Sequence, residues 1–576
     1  MKRLKISIFL LAILLALSGY SQKLQQNYFA SPLQIALDVT GAFAEIRANH
    51  FHSGADFKTQ KREGLPILAV ADGFISRIKV SPVGFGYALY IDHPNGLTSV
   101  YGHLLKYNTG IAAYVNKQQY DKQSFAVDLF PAHEMDTLWV KKGDVIGFSG
   151  NSGTSYGAHL HFEIRTTSTE RILNPFLAGL TDNDLYYPYF DLLKVYPMDE
   201  NSSIGSSDEP LKLPVKNTGT GLYRLPGNDT LFLWGQFAFG VQAFDYTYSH
   251  EDRNGFYGIR MTMDNHLFFN MQCDSFAFDE SRNINACIDY QAYKRTGQRI
   301  VWSKKLPGNK MSFFNTGDGD GTVMLTDGTL HKLLIEVYDY KGNTSKLEVP
   351  VMSRKPDKLV SVSGYTDADT TCHINWNKDT SLEYKGLKLN FPSGALYDDL
   401  ELTINKSVPV SGLYSARYVI QNRETPLQKN MTVSIDASKV PSELADKALI
   451  VSINPDNGRR SSEGGIYKAG RVSAETNEFG TFAIAVDTIK PAIKLIPQKA
   501  ASAKSVKFTV SDNLAGIADY YGELNGKWVL VEWDPKNRLM FYRYDKYLQP
   551  GKNAFKLVVK DAVGNIATYN TSILKK

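Results

Sequence analysis

The 576-residue sequence contains only three cysteines, and its 64 Lys and Arg against 59 Asp and Glu leave a formal net charge of only +5. Three cysteines are too few for a disulfide-built scaffold, and so small a charge on so long a chain does not indicate a nucleic-acid partner. Cys273 and Cys287 could form a disulfide in an oxidising compartment, but their spacing alone does not establish one, and Cys372 has no evident partner.

Long apolar runs are also lacking beyond the first residues. The run from Ile6 to Leu17 follows three basic residues and precedes small residues near Ser21. It is shorter than the roughly 20 apolar residues that span a bilayer, so we expect a cleaved signal peptide at 1–21 rather than a membrane anchor. No cysteine near that point could carry a lipid. We expect an exported protein, periplasmic or extracellular, that is not lipid-anchored and has no membrane span after cleavage.

Helical periodicity is scarce, whereas short alternating stretches bounded by Gly, Asn, Asp and Pro recur along the chain, which predicts a mainly β, multidomain protein. Three breaks divide it: the polar run 199–209, Arg354-Lys355-Pro356 and Lys490-Pro491. We predict a first domain over 22–198, a β-sandwich module over 199–353, a β-rich module of unknown role over 354–490 and a second β-sandwich module over 491–576.

Two segments, 333–343 and 555–565, resemble one another. In each, apolar residues alternate along a strand that runs into an Asp-x-x-Gly-Asn turn, which is typical of a β-hairpin. We interpret the modules that contain them as immunoglobulin-like β-sandwiches. Asp339 and Asp561 in these turns could bind calcium, but an Asp that caps its own turn is the simpler explanation.

Seven of the 11 histidines lie in the first third of the chain. In the strand 159–165 alternate side chains share a face, so His159, His161, Glu163 and Arg165 project together opposite an apolar side. A plain solvent-facing stripe would more often carry Lys, Thr or Glu. Upstream, His52 and Asp56 are four residues apart, and the glycine between them permits a tight bend and argues against a helix.

Catalytic zinc sites hold three protein ligands of N or O type and leave a fourth position open. One histidine and the Asp of His52-Ser-Gly-Ala-Asp56, with one histidine of the strand, would form such a set. The helical His-Glu-x-x-His pattern is absent from the sequence, so a metallopeptidase would have to use this β-type arrangement. His103, in Val100-Tyr-Gly-His103, is a candidate base or oxyanion donor.

Several further pieces stand in a fixed order between about residues 47 and 165. They are His52-Ser-Gly-Ala-Asp56, Gly64-Leu-Pro-Ile-Leu-Ala-Val-Ala-Asp-Gly73, Gly86-Tyr-Ala-Leu-Tyr-Ile-Asp-His93, Tyr101-Gly-His-Leu104, Gly143-Asp-Val-Ile-Gly147, Gly150-Asn-Ser-Gly153 and Gly157-Ala-His-Leu-His-Phe-Glu163. Through this series the segment resembles the M23 family of zinc endopeptidases, the lysostaphin-type peptidoglycan hydrolases. The resemblance covers roughly a fifth of the chain and implies nothing about the rest.

The resemblance implies a lysostaphin-type β-sheet peptidase domain with one Zn²⁺, bound by His52, Asp56 and His161. His103 and His159 would then act as catalytic residues on the attacking water and the scissile carbonyl. The implied substrates are the stem peptides and cross-bridges of bacterial peptidoglycan. Protein partners could bind through the C-terminal modules.

Two other functions remain open. Catalytically dead members of the family activate a separate wall hydrolase, although they generally lose ligands that this sequence keeps. An intact peptidase could also cleave proteins or other glycine-rich peptides.

The remaining histidines and Tyr101 receive smaller roles. Tyr101 could assist the oxyanion or pack in the core, and His50 and His93 are expected to be structural. His133 falls in the segment 106–142, which is longer than the family motifs lead us to expect. This insertion could wall the cleft or cover the site.

Overall fold

We describe a computed structural model over residues 28–182, 184–246, 251–358, 368–497 and 504–575. The predicted signal peptide lies outside these residues. Almost every element is a strand, and the strands form several separate sheets, so the prediction of a mainly β, multidomain chain is confirmed. Within the described ranges, no helix combines the length and apolar character needed to cross a membrane.

The N-terminal sheet is antiparallel, and its strands carry His103, His159 and His161. The order of its main strands is Val39–Gly41, Ala55–Lys58, His159–Thr166, Leu97–Leu104, Tyr87–Asp92, Gly73–Val80 and Val127–Leu129. Trp139–Val140, Ile172–Leu173 and Ser275–Phe276 pair at its margins, Ile46–Arg47 pairs with His50–Phe51, and Pro66–Leu68, Val145–Phe148 and Lys106–Tyr107 form a small second sheet. The helix Thr109–Lys122 and the 3-10 turn Asp136–Leu138 complete this region.

The next region is built on the long strand Leu231–Tyr246. Its other strands are Tyr189–Pro197, Ser203–Ile204, Leu211–Pro214, Lys216–Gly219, Leu222–Arg224, Arg253–Asn254, Gly258–Met263, His266–Gln272, Val301–Trp302, Phe314–Asn315, Val323–Leu325, Leu330–Tyr338 and Thr344–Ser353. The helices Ile284–Cys287 and Tyr290–Thr296 and the 3-10 turns Pro226–Asn228 and Phe278–Asn283 connect them. The strand Tyr189–Pro197 lies before the boundary predicted at residue 199, but it pairs with Leu231–Tyr246 of this region. Ser203–Ile204 lies inside the predicted linker and also pairs with Leu231–Tyr246.

Two further β units follow. The strands of the first are Thr370–Ile374, Thr380–Tyr384, Leu387–Phe391, Leu400–Ser407, Arg417–Ile420, Pro426–Asp436, Ala448–Ile453, Arg460–Gly464, Ile466–Lys468, Arg471–Glu478 and Gly480–Val486, with the 3-10 helix Ser442–Lys447. Those of the second are Ala492–Ile496, Ser505–Ser511, Ile517–Leu524, Lys527–Val529, Val531–Asp534, Leu539–Arg543, Gly551–Asp561 and Ile566–Lys575, with the 3-10 turn Pro535–Asn537. Each unit consists of two sheets around its own apolar cluster.

The two similar segments form hairpins. Leu330–Tyr338 pairs with Thr344–Ser353, and Gly551–Asp561 pairs with Ile566–Lys575, each around its Asp-x-x-Gly-Asn turn. The alternating apolar residues of both segments are buried, because a strand with one buried face must place every second side chain in the core. Cys273 and Cys287 are both buried free thiols.

The insertion 106–142 takes neither of the two positions considered from the sequence. Among the described residues that line the cleft of the N-terminal region, none belongs to it. Its helix instead faces the C-terminal unit, where Tyr120 packs against Trp528 and Tyr547 and its hydroxyl donates a hydrogen bond to Asp545. The insertion therefore holds two regions of the chain together, and His133 inside it packs on Phe74 and Trp139.

Candidate active site

Three neighbouring strands of the N-terminal sheet bring the candidate residues together. Ala55–Lys58 and Leu97–Leu104 lie on either side of His159–Thr166. The register pairs His161 with Asp56 on one side and with Gly102 on the other. Directly opposed residues in an antiparallel pair project to the same face, so Asp56 lies beside His161 although 105 residues separate them in sequence.

His52, Asp56 and His161 form a compact triangle of ligand atoms. His161 Nδ1 lies 2.9 Å from Asp56 Oδ1, and His52 Nε2 lies 3.1 Å from each of these atoms. Ligands bound tetrahedrally to one ion at about 2.0–2.1 Å would stand about 3.3 Å apart. All three residues are buried. The triangle therefore has the dimensions of one face of a tetrahedral metal site.

The hydrogen bonds of the ring nitrogens that point away from the triangle determine the protonation of the nitrogens that point into it. His52 Nδ1 donates to the carbonyl of Ala42 at 2.8 Å, and His161 Nε2 lies 3.0 Å from Glu163 Oε1. In a neutral imidazole the other ring nitrogen then carries a lone pair, so both histidines present acceptors to Asp56. With these nitrogens unprotonated, the three acceptors would repel one another, and a shared cation, or a proton on His161 in the metal-free protein, relieves that repulsion. The donor set fits a metal ion.

The carboxylate of Asp56 is held in the ionised form. Burial alone would raise its pKa, but the charge of His52 and hydrogen bonds from His159 and His161 outweigh burial and hold the pKa well below its usual value. Arg47 Nη2 lies 3.3 Å from Asp56 Oδ2 and leaves Oδ1 directed at the histidines. Arg47 is a supporting residue that no sequence pattern indicated.

Glu163 supports His161 from the same strand. It is fully buried, and Arg165 Nε donates to it at 2.6 Å. Burial opposes its ionisation, but Arg165 and His161 outweigh that effect and lower the pKa of Glu163 to about 2. Burial likewise opposes the charge on His161, yet hydrogen bonds to Asp56 and Glu163 raise its pKa to about 9 in the metal-free protein. A proton therefore stands in for the metal.

His103 and His159 face the same cleft beside the triangle. Their ring centroids are 4.9 Å apart, and His159 Nε2 lies 3.5 Å from Asp56 Oδ1. His103 Nδ1 donates to the carbonyl of Ser152 at 2.8 Å, and His159 Nδ1 donates to that of Gly157 at 2.9 Å. Burial, with the imidazoles of His161 and His159, lowers the pKa of His103 to about 3. His103 is thus a neutral base whose Nε2 is available to accept a proton.

Tyr101 does not share the face of His103. Its ring is fully buried in the core, and its hydroxyl accepts hydrogen bonds from the Val70 amide at 3.0 Å and from Ser99 at 3.1 Å. His103 has a φ of 57°, and the pairing with the neighbouring strand shifts register just before it. This irregularity breaks the simple alternation, so of the two roles considered for Tyr101 the structure supports packing.

Gly54 lacks a side chain for a different reason from the one expected. A Cβ there would lie 2.3 Å from the carbonyl oxygen of Phe162 and 2.9 Å from Glu163 Cγ, whereas its backbone φ is not in the left-handed region. Glycine is required because the strand His159–Thr166 passes directly over the loop.

His93 has the structural surroundings that were expected, whereas His50 lines the cleft. His93 is buried between the carbonyl of Asp72 and the hydroxyl of Ser99, each at 2.8 Å. His50 is exposed at the cleft and lies 2.8 Å from the carbonyl of Ala48. The cleft has a volume of about 1270 Å³, and its walls include Glu251 and Asp252 from the following region, which sequence reasoning had not connected with the site.

Comparisons with known proteins found similarity for two parts of the chain. Residues 50–120 match the model of peptidase family M23, and residues 371–487 match that of a Zu5-like domain. The DD-carboxypeptidase/endopeptidase Mpg of Neisseria meningitidis serogroup B (strain ATCC 13091 / M2091) is 31% identical over 134 residues, which are 23% of this chain and 24% of that protein. An uncharacterized metalloprotease of Haemophilus influenzae is 30% identical over 165 residues, 28% of this chain and 29% of that protein.

Among solved structures, the catalytic domain of the antimicrobial peptidase lysostaphin from Staphylococcus simulans is 26% identical, with a TM-score of 0.18, over 25% of this chain and 90% of that one. The matched stretch spans only about a quarter of the curated relatives. The N-terminal part of this chain is therefore similar to peptidase family M23. The unit predicted at 354–490 without a role matches the Zu5-like model over most of its length.

Proposed function

We propose that the N-terminal domain is an exported zinc endopeptidase that hydrolyses peptide cross-links of bacterial peptidoglycan. The observation that carries this proposal is the triangle of His52 Nε2, Asp56 Oδ1 and His161 Nδ1, with every edge at or below 3.1 Å and each histidine held from behind. Two nitrogen donors and one carboxylate suit zinc in a catalytic site with an open position.

His52, Asp56 and His161 would hold the zinc ion in this proposal. When bound, the ion supplies Lewis-acid polarisation of an amide carbonyl and lowers the pKa of a water molecule towards about 7. Ala42 and Glu163 orient the two imidazoles by accepting their outer N–H groups. Such outer contacts keep the ligand atoms in place between turnovers.

The proton chemistry is assigned to His103 and His159. The Nδ1–H of His103 is taken up by Ser152, so its Nε2 faces the cleft as a base that can accept the proton of the attacking water. His159 is fixed in the same way by Gly157 and stands between His103 and Asp56. Once protonated, either imidazole can donate to the oxyanion or to the leaving amine.

The similarity to peptidase family M23 supports peptidoglycan as the substrate class, and the predicted signal peptide supports export. The predicted modules at 199–353, 354–490 and 491–576 would hold the peptidase at the wall or bind protein partners, the first and last of them as immunoglobulin-like β-sandwiches. No membrane-spanning helix is present within the described residues.

Digestion of purified peptidoglycan tests the proposal. The mature protein is incubated with and without a chelator, and the released fragments are identified by mass. Cross-linked peptides that are cleaved only without chelator support the peptidase. No cleavage, together with stimulation of an added amidase, would support the alternative of a non-hydrolytic wall-binding regulator. A parallel digestion of glycine-rich peptides and unfolded protein tests the broader substrate range.

A further inference from the structure

A second cluster of ligand atoms lies where the N-terminal domain meets the next region. Asp184, Asp245 and Asp339 each offer a carboxylate oxygen, and these oxygens lie within 4.8 Å of one another. All three side chains are buried. Two oxygens bound at about 2.4 Å to one calcium ion can be at most about 4.8 Å apart, so all three oxygens are close enough together to bind one such ion.

Three different parts of the chain supply these carboxylates. Asp184 belongs to the segment that connects Ile172–Leu173 with Tyr189–Pro197, Asp245 lies near the end of Leu231–Tyr246, and Asp339 follows Leu330–Tyr338. The Oδ1 atoms of Asp184 and Asp245 each accept one backbone amide, at 3.0 Å. Asp339 accepts the amides of its own turn, as a turn-capping residue should. Turn capping therefore explains the position of Asp339, but it does not explain why the carboxylates of Asp184 and Asp245 lie close to it.

Asn254 gives an independent indication of a ligand. It is opposite Asp245 in the strand register, so the two side chains share a face, and both line a cavity of about 30 Å³ together with Asp184. Asn254 is only 1% exposed. Its Nδ2 donates outward to the carbonyl of Val39, while its Oδ1 has no hydrogen-bond partner among the described residues. A buried amide oxygen without a donor is costly unless something in the cavity binds it.

The charge of the cluster also calls for a cation. Lys341 is the neighbouring ammonium group, and its Nζ bonds to Asp182 Oδ1 at 2.9 Å and to the backbone carbonyls of Asp182 and Asp184. Its direct ion pair is thus with a fourth carboxylate, and among the described residues none of the three cluster carboxylates forms an ion pair of its own.

We propose that Asp184, Asp245, Asp339 and the Oδ1 atom of Asn254 bind a calcium ion at the junction between the N-terminal domain and the following region. All four donors are oxygens, which a hard dication prefers, and a site made largely of protein oxygens favours calcium over the more strongly hydrated magnesium. The ion joins the connecting segment to two strands of the next region. Through Asn254 and Val39 it also reaches the first strand of the peptidase sheet.

A related cluster at the C-terminal junction repeats the arrangement. Asp487, Asp512 and Asp561 bring ligand oxygens within the same 4.8 Å. Asp487 follows the last strand of the Zu5-like unit, and Asp561 occupies the same place in its turn as Asp339 does. Asp512 Oδ1 is a buried atom without a hydrogen-bond partner among the described residues. We therefore expect the wild-type chain to bind one or two calcium ions, one of them at the site that contains Asp245.

Calcium binding to the zinc-loaded full-length chain tests this site without reference to peptidase activity. We expect the wild type to bind calcium in equilibrium dialysis and to melt several degrees higher in millimolar calcium than in EGTA. Asp245→Asn should bind one ion fewer and lose at least half of the melting shift. Asp318→Asn removes an exposed charge from the same region and should behave like the wild type.

The variants also separate loss of a ligand from failure to fold. Asp245→Asn relieves repulsion between carboxylates, so in EGTA it should melt no lower than the wild type; Asp184→Asn provides a second variant with the same expectation. Absence of calcium binding by the wild-type chain, or an equal number of ions in wild type and Asp245→Asn, would overturn the proposal. Protons shared among the carboxylates would then be what holds the cluster together.

Discussion

The candidate active site and the carboxylate cluster at the junction both gather buried ligand atoms, but they differ in donor chemistry. The first combines two imidazole nitrogens with one carboxylate, and every outer N–H is taken up by a carbonyl or by Glu163. The second contains only oxygens and draws them from three separate elements. Nitrogen donors suit zinc, whereas oxygen donors suit calcium, so the two sets of ligand atoms favour different ions.

The largest contrast between the two sites should come from His161→Ala. This substitution removes one ligand of the active-site triangle and leaves His52 and Asp56 as the remaining donors. We expect zinc to fall from one ion per chain to nearly none and cleavage to fall below detection, while calcium uptake stays unchanged. Metal analysis after dialysis measures both ions. His133→Ala, outside the cleft, is the matched control and should keep its zinc.

His103→Ala sharpens the comparison within the active site. Because His103 is assigned to proton transfer and not to the ion, the variant should keep one zinc per chain and lose about 10²–10⁴-fold in turnover. Metal content and the rate of peptidoglycan cleavage are measured on the same preparation. Equal loss of zinc in His103→Ala and His161→Ala would contradict the assigned roles.

Glu163→Gln tests the support behind the ligand. The substitution keeps the shape of the side chain but removes the negative charge that faces His161 Nε2. Such supporting contacts are typically worth 10–100-fold in metal affinity, so we expect weaker zinc binding by about that factor in competition with a chelator. Glu170→Gln, at an exposed turn, should bind as the wild type does. A calcium response that changed together with the zinc affinity would show that the two sites are not independent.

The pH dependence of zinc uptake should be the mildest effect. In the metal-free protein the pKa of His161 is raised to about 9, so at pH 7 a proton occupies the position that the ion needs. Zinc binding then releases that proton, and affinity should rise about tenfold per pH unit up to about pH 9 and level off above it. Calorimetry in buffers of different ionisation enthalpy counts the protons. Release of none at pH 7 would disprove the raised pKa.

Much of the N-terminal domain could be predicted from short patterns. Alternation along 159–165 placed His159, His161 and Glu163 on one face, and the ordered motifs indicated family M23, which the comparisons confirm. The roles of His52, Asp56, His103, His159 and His161 stay predictions, although the structure brings all five to one cleft. Arg47 and Ser152 could not be predicted, because their contacts depend on how distant loops fold against the sheet.

The alternation of side chains along a strand predicted the wrong face where the strand is irregular. Tyr101 and His103 are two residues apart, yet the left-handed backbone at His103 turns one into the core and the other into the cleft. The insertion at 106–142 offered no pattern that could reveal its contact with the C-terminal unit, since Tyr120 meets residues more than 400 positions away.

The sequence by itself determined that the chain is mainly β, which faces its strands bury, and that the N-terminal part resembles one peptidase family, because strand periodicity and ligand spacing are local properties. Only the tertiary structure decided which atoms of those side chains meet. The inward direction of three ligand atoms at the active site, and the approach of three carboxylates at the junction, depend on strand register and on contacts between distant segments. Those contacts are set by packing across the whole fold.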